Sequence, residues 1–199
     1  EIDYLLTDDD LAPAGSDAFY SGTLLRLMPG RLCYTPPPAP TPSTEGVEAR
    51  RLVCLNRFSK INDEVAAAWS AALLRLPGWS LRLKGTGGDD AGVANALRRR
   101  FAAHGVDPER LDIFGEGPYA EAIDAYRDAA VALDPFPFSG CATSFDALWM
   151  GLPVVTLPLD TMASRQTGSI LSAIGRKDWI ADDVGAYVDA IVDVARDED

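Results

Sequence analysis

A small polar loop at residues 139–144 has the composition of an anion-binding site. It follows an apolar run at residues 130–133 and leads into a predicted helix at residues 142–150. Serine and threonine at a helix start leave backbone N–H groups pointing outward, and the helix dipole adds positive potential there. About one turn further on, Asp146 can face the same opening, where a carboxylate suits a sugar hydroxyl, as in dinucleotide sites. The pattern predicts a site for a nucleotide diphosphate and its ribose.

An ordinary αβ loop with a helix N-cap would have the same local pattern, so the loop alone leaves both interpretations open. Two cations, Arg57 and Lys60, follow a predicted strand at residues 52–55. Lys60 can approach a phosphate as a point charge, and Arg57 offers a planar fork for bidentate contact. Taken alone, Lys60 is more typical of a solvated lysine at a helix start. A later loop containing Gly115 and Gly117 would let the backbone approach a flat base closely.

The elements that must position these residues alternate regularly beyond residue 51. Strands are predicted at residues 52–55, 80–84, 111–114, 130–133, 153–157 and 179–181. Helices are predicted at residues 62–76, 90–104, 119–128, 142–150, 163–174 and 184–197. Strands alternating with helices indicate βαβ units, and hence an α/β, Rossmann-like parallel sheet with helices on both faces. Ligands of such sheets bind beyond the carboxyl ends of the strands, where all the loops above lie.

The first fifty residues follow a different pattern. Residues 1–6 read as a strand, residues 17–25 as a short helix, and Pro29-Gly30 as a turn. Residues 36–50 carry a run of prolines, which is typical of a stiff, extended spacer. We therefore divide the chain into an N-terminal segment, a linker and a nucleotide-binding domain, at residues 1–35, 36–50 and 51–199.

Composition limits the possible partners. The 199 residues carry a net charge of −12, which disfavours nucleic acid and anionic membranes, since both need a basic surface. No apolar run approaches transmembrane length. The three cysteines have no metal-ligand spacing and indicate a reducing, cytoplasmic setting. The single histidine, His104, reads as a helix-end residue with no catalytic role.

Three ordered blocks resemble the O-linked N-acetylglucosamine transferases, and most closely their SPINDLY-like bacterial members. The family run Gly-x-Thr-Thr-x-x-Asp-x-Leu-Trp-x-Gly-x-Pro is matched here by Gly140-Cys-Ala-Thr-Ser-Phe-Asp146-Ala-Leu-Trp-Met-Gly151-Leu-Pro153. A second block, Asn-x-x-x-Lys-Ile, is matched by Asn56-Arg-Phe-Ser-Lys60-Ile61. The third, near the start, is Asp3-Tyr4-Leu-Leu-Thr-Asp8 with a later Tyr20-Ser21. Order and spacing agree over nearly the whole chain.

The resemblance implies the C-terminal lobe of a two-lobed GT-B glycosyltransferase, with residues 1–35 ending the first lobe. It implies an inverting, metal-independent transfer of sugar from a nucleotide donor, expected to be UDP-N-acetylglucosamine, to a protein hydroxyl, with no other cofactor. The protein acceptor would bind through upstream regions. Lys60 would act catalytically on the leaving diphosphate. The donor would also contact a set of loop and helix-start residues, which comprises Arg57, Gly117, Gly140, Cys141, Ala142, Thr143 and Asp146.

At several positions the chain departs from the family pattern. Arg57 replaces a glutamine, Cys141 a histidine, Ala142 a threonine, and Tyr119 a lysine used on the donor. A GDP-fucose donor, as in the plant SPINDLY relatives, therefore stays open. So do a non-catalytic nucleotide-binding module and epimerase chemistry on a sugar nucleotide.

Overall fold

A five-stranded parallel sheet organises the chain from residue 51 onward in the computed structural model, which describes residues 2–38 and 50–197. Its strands are β3 (Arg51–Cys54), β4 (Ser80–Lys84), β5 (Leu111–Phe114), β6 (Val131–Leu133) and β7 (Val154–Val155). Their order is β5-β4-β3-β6-β7, and every pairing is parallel. The predicted α/β fold with a parallel sheet is confirmed.

Helices cover both faces of this sheet. They are α1 (Asp63–Arg75), α2 (Ala91–Ala102), α3 (Tyr119–Asp124), α4 (Ala142–Trp149), α5 (Gln166–Ala173) and α6 (Val184–Arg196). In β3, Leu52 and Cys54 belong to a core shared with α1, α2 and α6, whereas Val53 packs with α3 and α4. Successive strand residues point to opposite faces, so continuous apolar strands are what a sheet covered on both sides requires.

Three of the long helices begin at an acidic or amide side chain that caps them. The side chain of Asn62 accepts from the backbone N–H of Val65 at 2.8 Å at the start of α1. Asp90 caps α2 and Asp183 caps α6 in the same way. Such caps satisfy N–H groups that have no partner within the helix.

The N-terminal segment differs from its prediction. Residues 17–25 do not form one helix, because a 3₁₀ helix, Ser16–Phe19, is followed by a strand, β2 (Thr23–Arg26). This strand pairs in parallel with β1 (Tyr4–Thr7). A side chain at Gly22 would lie 2.8 Å from the carbonyl oxygen of Ile2, so glycine permits the close approach that leads into the pairing. The prediction failed because pairing with a distant strand outweighed local helix propensity.

Several other boundaries are shorter than predicted. Helix α3 ends at Asp124 and continues as turns, and the strand at residues 179–181 is reduced to one bridge between Thr156 and Ile180. The helix at residues 163–174 begins instead as a 3₁₀ turn, Met162–Ser164. Most of the predicted linker at residues 36–50 lies outside the described residues. No helix in the described part of the chain is long and apolar enough to span a membrane.

Candidate functional site

A cleft at the carboxyl ends of the strands lies where the order of the strands in the sheet reverses. Strand β3 is central, with β4 on one side and β6 on the other, so the loops that follow β3 and β6 are neighbours. Between them lies a cleft of about 840 Å³. It is lined by Leu55, Asn56, Arg57, Ser59, Lys60, Asn62, Pro137, Phe138, Cys141, Ala142 and Thr143. Ligands of open α/β sheets bind at this kind of switch point.

Lys60 reaches into this cleft from a 3₁₀ turn, Phe58–Lys60, that follows β3. Its Nζ donates to Asn56 Oδ1 at 2.9 Å and to the carbonyl oxygen of Ser139 at 2.8 Å, and it lies 4.5 Å from the ring centre of Phe138. Within the described residues, no carboxylate forms an ion pair with it. Partial burial therefore lowers the pKa of Lys60, although the charge of Asp134 opposes this.

Asn56 joins the two loops of the cleft. Its Oδ1 accepts from Lys60 Nζ and, at 3.4 Å, from the hydroxyl of Thr143 at the start of α4. Asn56 is buried, so its amide is held by these contacts. It was part of the quoted Asn-x-x-x-Lys-Ile block, but the sequence interpretation gave it no role. The structure identifies it as the residue that positions Lys60 against α4.

The start of α4 is open, unlike the capped starts of α1, α2 and α6. Its N-cap residue, Cys141, makes no side-chain cap hydrogen bond. Within the described residues, the backbone N–H groups of Ala142 and Thr143 have no hydrogen-bond partner. Burial raises the pKa of the Cys141 thiol, although nearby Arg31 and Lys60 favour the thiolate. The helix start therefore presents unpaired donors, and not a thiolate, toward the cleft.

A buried carboxylate shapes the loop that leads into α4. Asp134 accepts from the N–H of Gly140 at 2.5 Å and from the hydroxyl of Thr156 at 2.6 Å. Burial raises its pKa to about 6, although these hydrogen bonds oppose the shift. A Cβ on Gly140 would lie 2.6 Å from the hydroxyl oxygen of Ser144 and 2.9 Å from Asp134 Oδ1. Gly140 therefore allows the loop to approach Asp134 closely, and it is not among the residues that line the cleft.

A smaller pocket of about 280 Å³ adjoins the cleft along the same edge of the sheet. Both pockets are lined by Leu55 and Arg57. The smaller one is also lined by Lys84, Gly117 and Tyr119. Arg57 is exposed, and no ion pair involves it in the described part of the chain. Its guanidinium is therefore available to a ligand in either pocket.

Asp146 does not line either pocket and has only 5% of its surface exposed. Its Oδ1 accepts from the hydroxyl of Tyr34 at 2.7 Å and from that of Tyr119 at 2.6 Å. Neither tyrosine was predicted as a site residue. Tyr119 could have been found, because it stands where the family pattern has a donor-contacting lysine. Tyr34 carried no signal in the sequence.

The structure brings most of the predicted site residues together. Five of them, Arg57, Lys60, Cys141, Ala142 and Thr143, line the 840 Å³ cleft. Gly117 lines the adjoining pocket, while Gly140 and Asp146 line neither of the two. Their roles toward a ligand stay predictions.

A second groove, of about 800 Å³, lies at the other end of the sheet. Its lining includes Ala130 and Pro153, which precede β6 and β7, together with five aspartates and Arg176 from the C-terminal region. Strand amino ends are not where open α/β sheets bind their ligands. Arg176 is already paired with Asp178 at 2.8 Å, so we place the candidate site at the opposite end.

Comparison with known proteins points to one family. The model of glycosyl transferase family 41 matches residues 48–199. The chain is 29% identical, over 98% of its length, to the probable UDP-N-acetylglucosamine–peptide N-acetylglucosaminyltransferase SPINDLY of Petunia hybrida. It is 31% identical, over 87% of its length, to the probable transferase of the same description named SEC in Arabidopsis thaliana. The chain spans about a fifth of the length of these relatives, 22% and 19% respectively.

A solved structure agrees with the fold over nearly the whole chain. A mutant of the Thermobaculum terrenum O-GlcNAc transferase superposes with a TM-score of 0.95 at 38% identity. The match covers 99% of this chain and 38% of that one. The N-terminal segment is therefore part of the shared fold, as the third sequence block indicated.

Proposed function

The chain belongs to glycosyl transferase family 41, and from that premise we propose that it is the donor-binding lobe of an inverting glycosyltransferase. The whole protein transfers N-acetylglucosamine from UDP-N-acetylglucosamine to a protein hydroxyl. The observation that carries the proposal is the convergence of Lys60, Arg57 and the uncapped start of α4 on one cleft at the switch point of the sheet. The acceptor protein binds through parts of the molecule outside this lobe.

The proposed chemistry is stabilisation of the leaving diphosphate. In an inverting transfer the acceptor oxygen bonds to the anomeric carbon on the face opposite the leaving group. The bond between that carbon and the β-phosphate oxygen breaks, and the nucleotide departs with an extra negative charge. Hydrogen-bond donors that already point at this charge lower the activation barrier, because they need little reorganisation during the reaction. Such hydrogen-bond donors are present on Lys60, on Arg57 and on the backbone N–H groups of Ala142 and Thr143.

The acceptor proton must pass to a base. Within residues 2–38 and 50–197, no carboxylate or imidazole lines the 840 Å³ cleft. We therefore assign leaving-group stabilisation, and not proton abstraction, to the residues of this cleft.

The remaining predicted residues suit the nucleoside. Gly117 lines the smaller pocket, where a residue without a side chain leaves room for a flat base. Asp146 accepts from the hydroxyl of Tyr119, which lines this pocket, and we assign to it the hydrogen bond from a ribose hydroxyl. The donor would then extend from the smaller pocket, past Arg57, to the start of α4.

Two departures from the family pattern favour a different nucleotide sugar as the second candidate for the donor. Tyr119 and Cys141 stand at donor-contacting positions where the family pattern has lysine and histidine, and Tyr119 lines the smaller pocket. A changed wall can admit a changed base or sugar, so a GDP-sugar such as GDP-fucose is the alternative. A non-catalytic nucleotide-binding module would retain the same cleft without turnover.

Calorimetric titration of the chain with UDP, GDP and ADP tests the proposal. We expect UDP to bind most tightly, and we expect Lys60→Ala to weaken UDP binding by about tenfold or more, since a hydrogen bond to a charged group contributes about 1.5–3 kcal/mol. Lys177→Ala is the matched control, because Lys177 is an exposed lysine outside both pockets. This variant should bind UDP with the same affinity as the unmodified chain.

Tightest binding of GDP would replace the UDP donor with a GDP-sugar. A folded chain that binds none of the three nucleotides would contradict the proposed site. Turnover of UDP-N-acetylglucosamine by the whole protein would separate an enzyme from a non-catalytic module.

A further inference from the structure

Two tyrosines from distant parts of the chain meet at one oxygen atom of Asp146. Tyr34 belongs to the N-terminal segment, 112 residues away in sequence, and Tyr119 is the first residue of α3. Both hydroxyls donate to Oδ1, at 2.7 and 2.6 Å. An isolated Asp146 side chain could rotate, but two short hydrogen bonds from different elements hold the plane of its carboxylate.

The tyrosines are themselves held in place. The ring of Tyr34 stacks on that of Phe145, with centres 4.9 Å apart and planes 7° from parallel. Burial and the neighbouring Asp146 raise the pKa of both Tyr34 and Tyr119. Both phenols therefore remain protonated and act as donors at any pH at which a nucleotide would be bound.

The arrangement leaves Asp146 with unused capacity. A carboxylate has two oxygens and about four acceptor sites, and both tyrosines use the same oxygen. Among the described residues, no donor lies within hydrogen-bond distance of Oδ2, and no cation forms an ion pair with this nearly buried group. A buried carboxylate that lacks a cation is stabilised by every further donor it receives.

We propose that Tyr34 and Tyr119 are positioning residues that aim the free oxygen of Asp146 at the ribose hydroxyls of the donor. They thereby make the site selective for ribonucleotides over nucleotides without those hydroxyls. This inference rests on the proposed function. Tyr119 also lines the pocket that contains Gly117, so Asp146 is one hydrogen bond away from a residue of the proposed base site.

The test compares UDP with 2′,3′-dideoxyuridine diphosphate by calorimetry. The unmodified chain should bind UDP about tenfold or more tightly, because a lost hydrogen bond to a charged, buried acceptor costs affinity of that order. Tyr34→Phe and Tyr119→Phe each remove one hydroxyl and keep the ring. Each should reduce the preference for UDP at least threefold and leave affinity for the dideoxy nucleotide within twofold.

Two further variants complete the design. Asp146→Asn should lose most of the preference, because it replaces the carboxylate itself. Tyr4→Phe is the matched control, since Tyr4 is 64% exposed on β1, and it should keep the preference unchanged. Melting curves on all variants check that each protein is folded at the temperature of titration.

If the two tyrosines had only a structural role, their replacement would weaken the binding of both nucleotides equally, and that result would overturn the inference. Equal binding of the two nucleotides by the unmodified chain, or an unchanged preference in both phenylalanine variants, would also overturn it. In all three cases UDP still binds, so the proposed function survives. Only the failure of UDP to bind the unmodified chain would contradict the proposed function.

Discussion

Lys60 differs from an ordinary surface lysine in what surrounds its charge. Its ammonium has lost part of its hydration, and its hydrogen-bond partners among the described residues are the neutral oxygens of Asn56 and Ser139. The lowered pKa reflects this incomplete compensation. A diphosphate in the cleft would supply the missing negative charge, as the proposed role of Lys60 requires.

Replacing Lys60 with alanine should therefore affect turnover far more than folding. In the whole protein we expect a loss on the order of a hundredfold in kcat, as for other donors to developing charge. The free energy of unfolding should change by about 1 kcal/mol or less, because two lost hydrogen bonds are offset by relief of the buried charge. Steady-state kinetics and chemical denaturation measure the two quantities.

Lys177→Ala again serves as the control and should leave both quantities unchanged. Wild-type turnover in Lys60→Ala would mean that the diphosphate does not leave from this part of the cleft. A large loss of stability would instead make Lys60 a structural residue.

At the scale of elements, the loop between β6 and α4 depends on what lies beneath it. Tyr187 of α6 donates to the carbonyl oxygen of Asp134 at 2.8 Å and accepts from the indole of Trp69 in α1 at 2.9 Å. The side chain of Asp134 then holds Gly140. Two helices on one face of the sheet thus fix the strand end from which the loop reaches α4 on the other face.

Asp134 makes this loop sensitive to pH in a specific direction. Its pKa is about 6 in the folded chain and 3.8 in the reference state, so the folded state binds more protons between these values. The contribution of Asp134 to stability is thus largest below about pH 4, decreases as the pH rises to about 6, and is constant above it. Chemical denaturation between pH 4 and 7 should reveal this decrease as a difference between the unmodified chain and Asp134→Asn.

Other carboxylates titrate in the same range, and for this reason the variant is required as a reference. Asparagine can still accept from the N–H of Gly140 but does not ionise. A constant difference in unfolding free energy between the two proteins across pH 4–7 would show that Asp134 does not titrate there.

For the molecule as a whole, a buried aspartate connects the N-terminal segment to the domain that carries the site. Asp8 accepts from the backbone N–H of Leu11 at 2.8 Å and from the hydroxyl of Ser169 in α5 at 2.7 Å. It also accepts from the backbone N–H of Arg31 at 3.3 Å, three residues before Tyr34. The position of Tyr34 over Asp146 therefore depends on this connection.

Asp8→Ala should destabilise the fold by about 2–4 kcal/mol, because it leaves buried donors without an acceptor. It should also weaken UDP binding severalfold, since Tyr34 loses its fixed position. Denaturation and calorimetry measure the two effects. Asp10→Ala is the control, because it removes an exposed carboxylate of the same segment, and it should change neither the stability nor the UDP affinity. Unchanged UDP affinity in a folded Asp8→Ala protein would show that the connection does not extend to the site.

Local sequence alone predicted most of the fold. Alternation of apolar runs with amphipathic ones depends on residues a few positions apart, so the strands and helices beyond residue 51 and their parallel arrangement could be predicted from it. The same reasoning failed at residues 17–25, where the strand exists because Gly22 lets β2 pair with β1. It also gave no account of Asp134, whose burial depends on packing from α6.

The candidate site divides in the same way. The open start of α4 could be proposed from the sequence, because Gly140, Ala142 and Thr143 are neighbours in the chain and carry a recognisable pattern. The contact of Lys60 with Ser139 spans 79 residues, and that of Tyr34 with Asp146 spans 112. The sheet order that sets β3 beside β6 creates the first contact, and docking of the N-terminal segment creates the second. Sequence periodicity carries no information about such distances along the chain, so only the tertiary structure could place these side chains together.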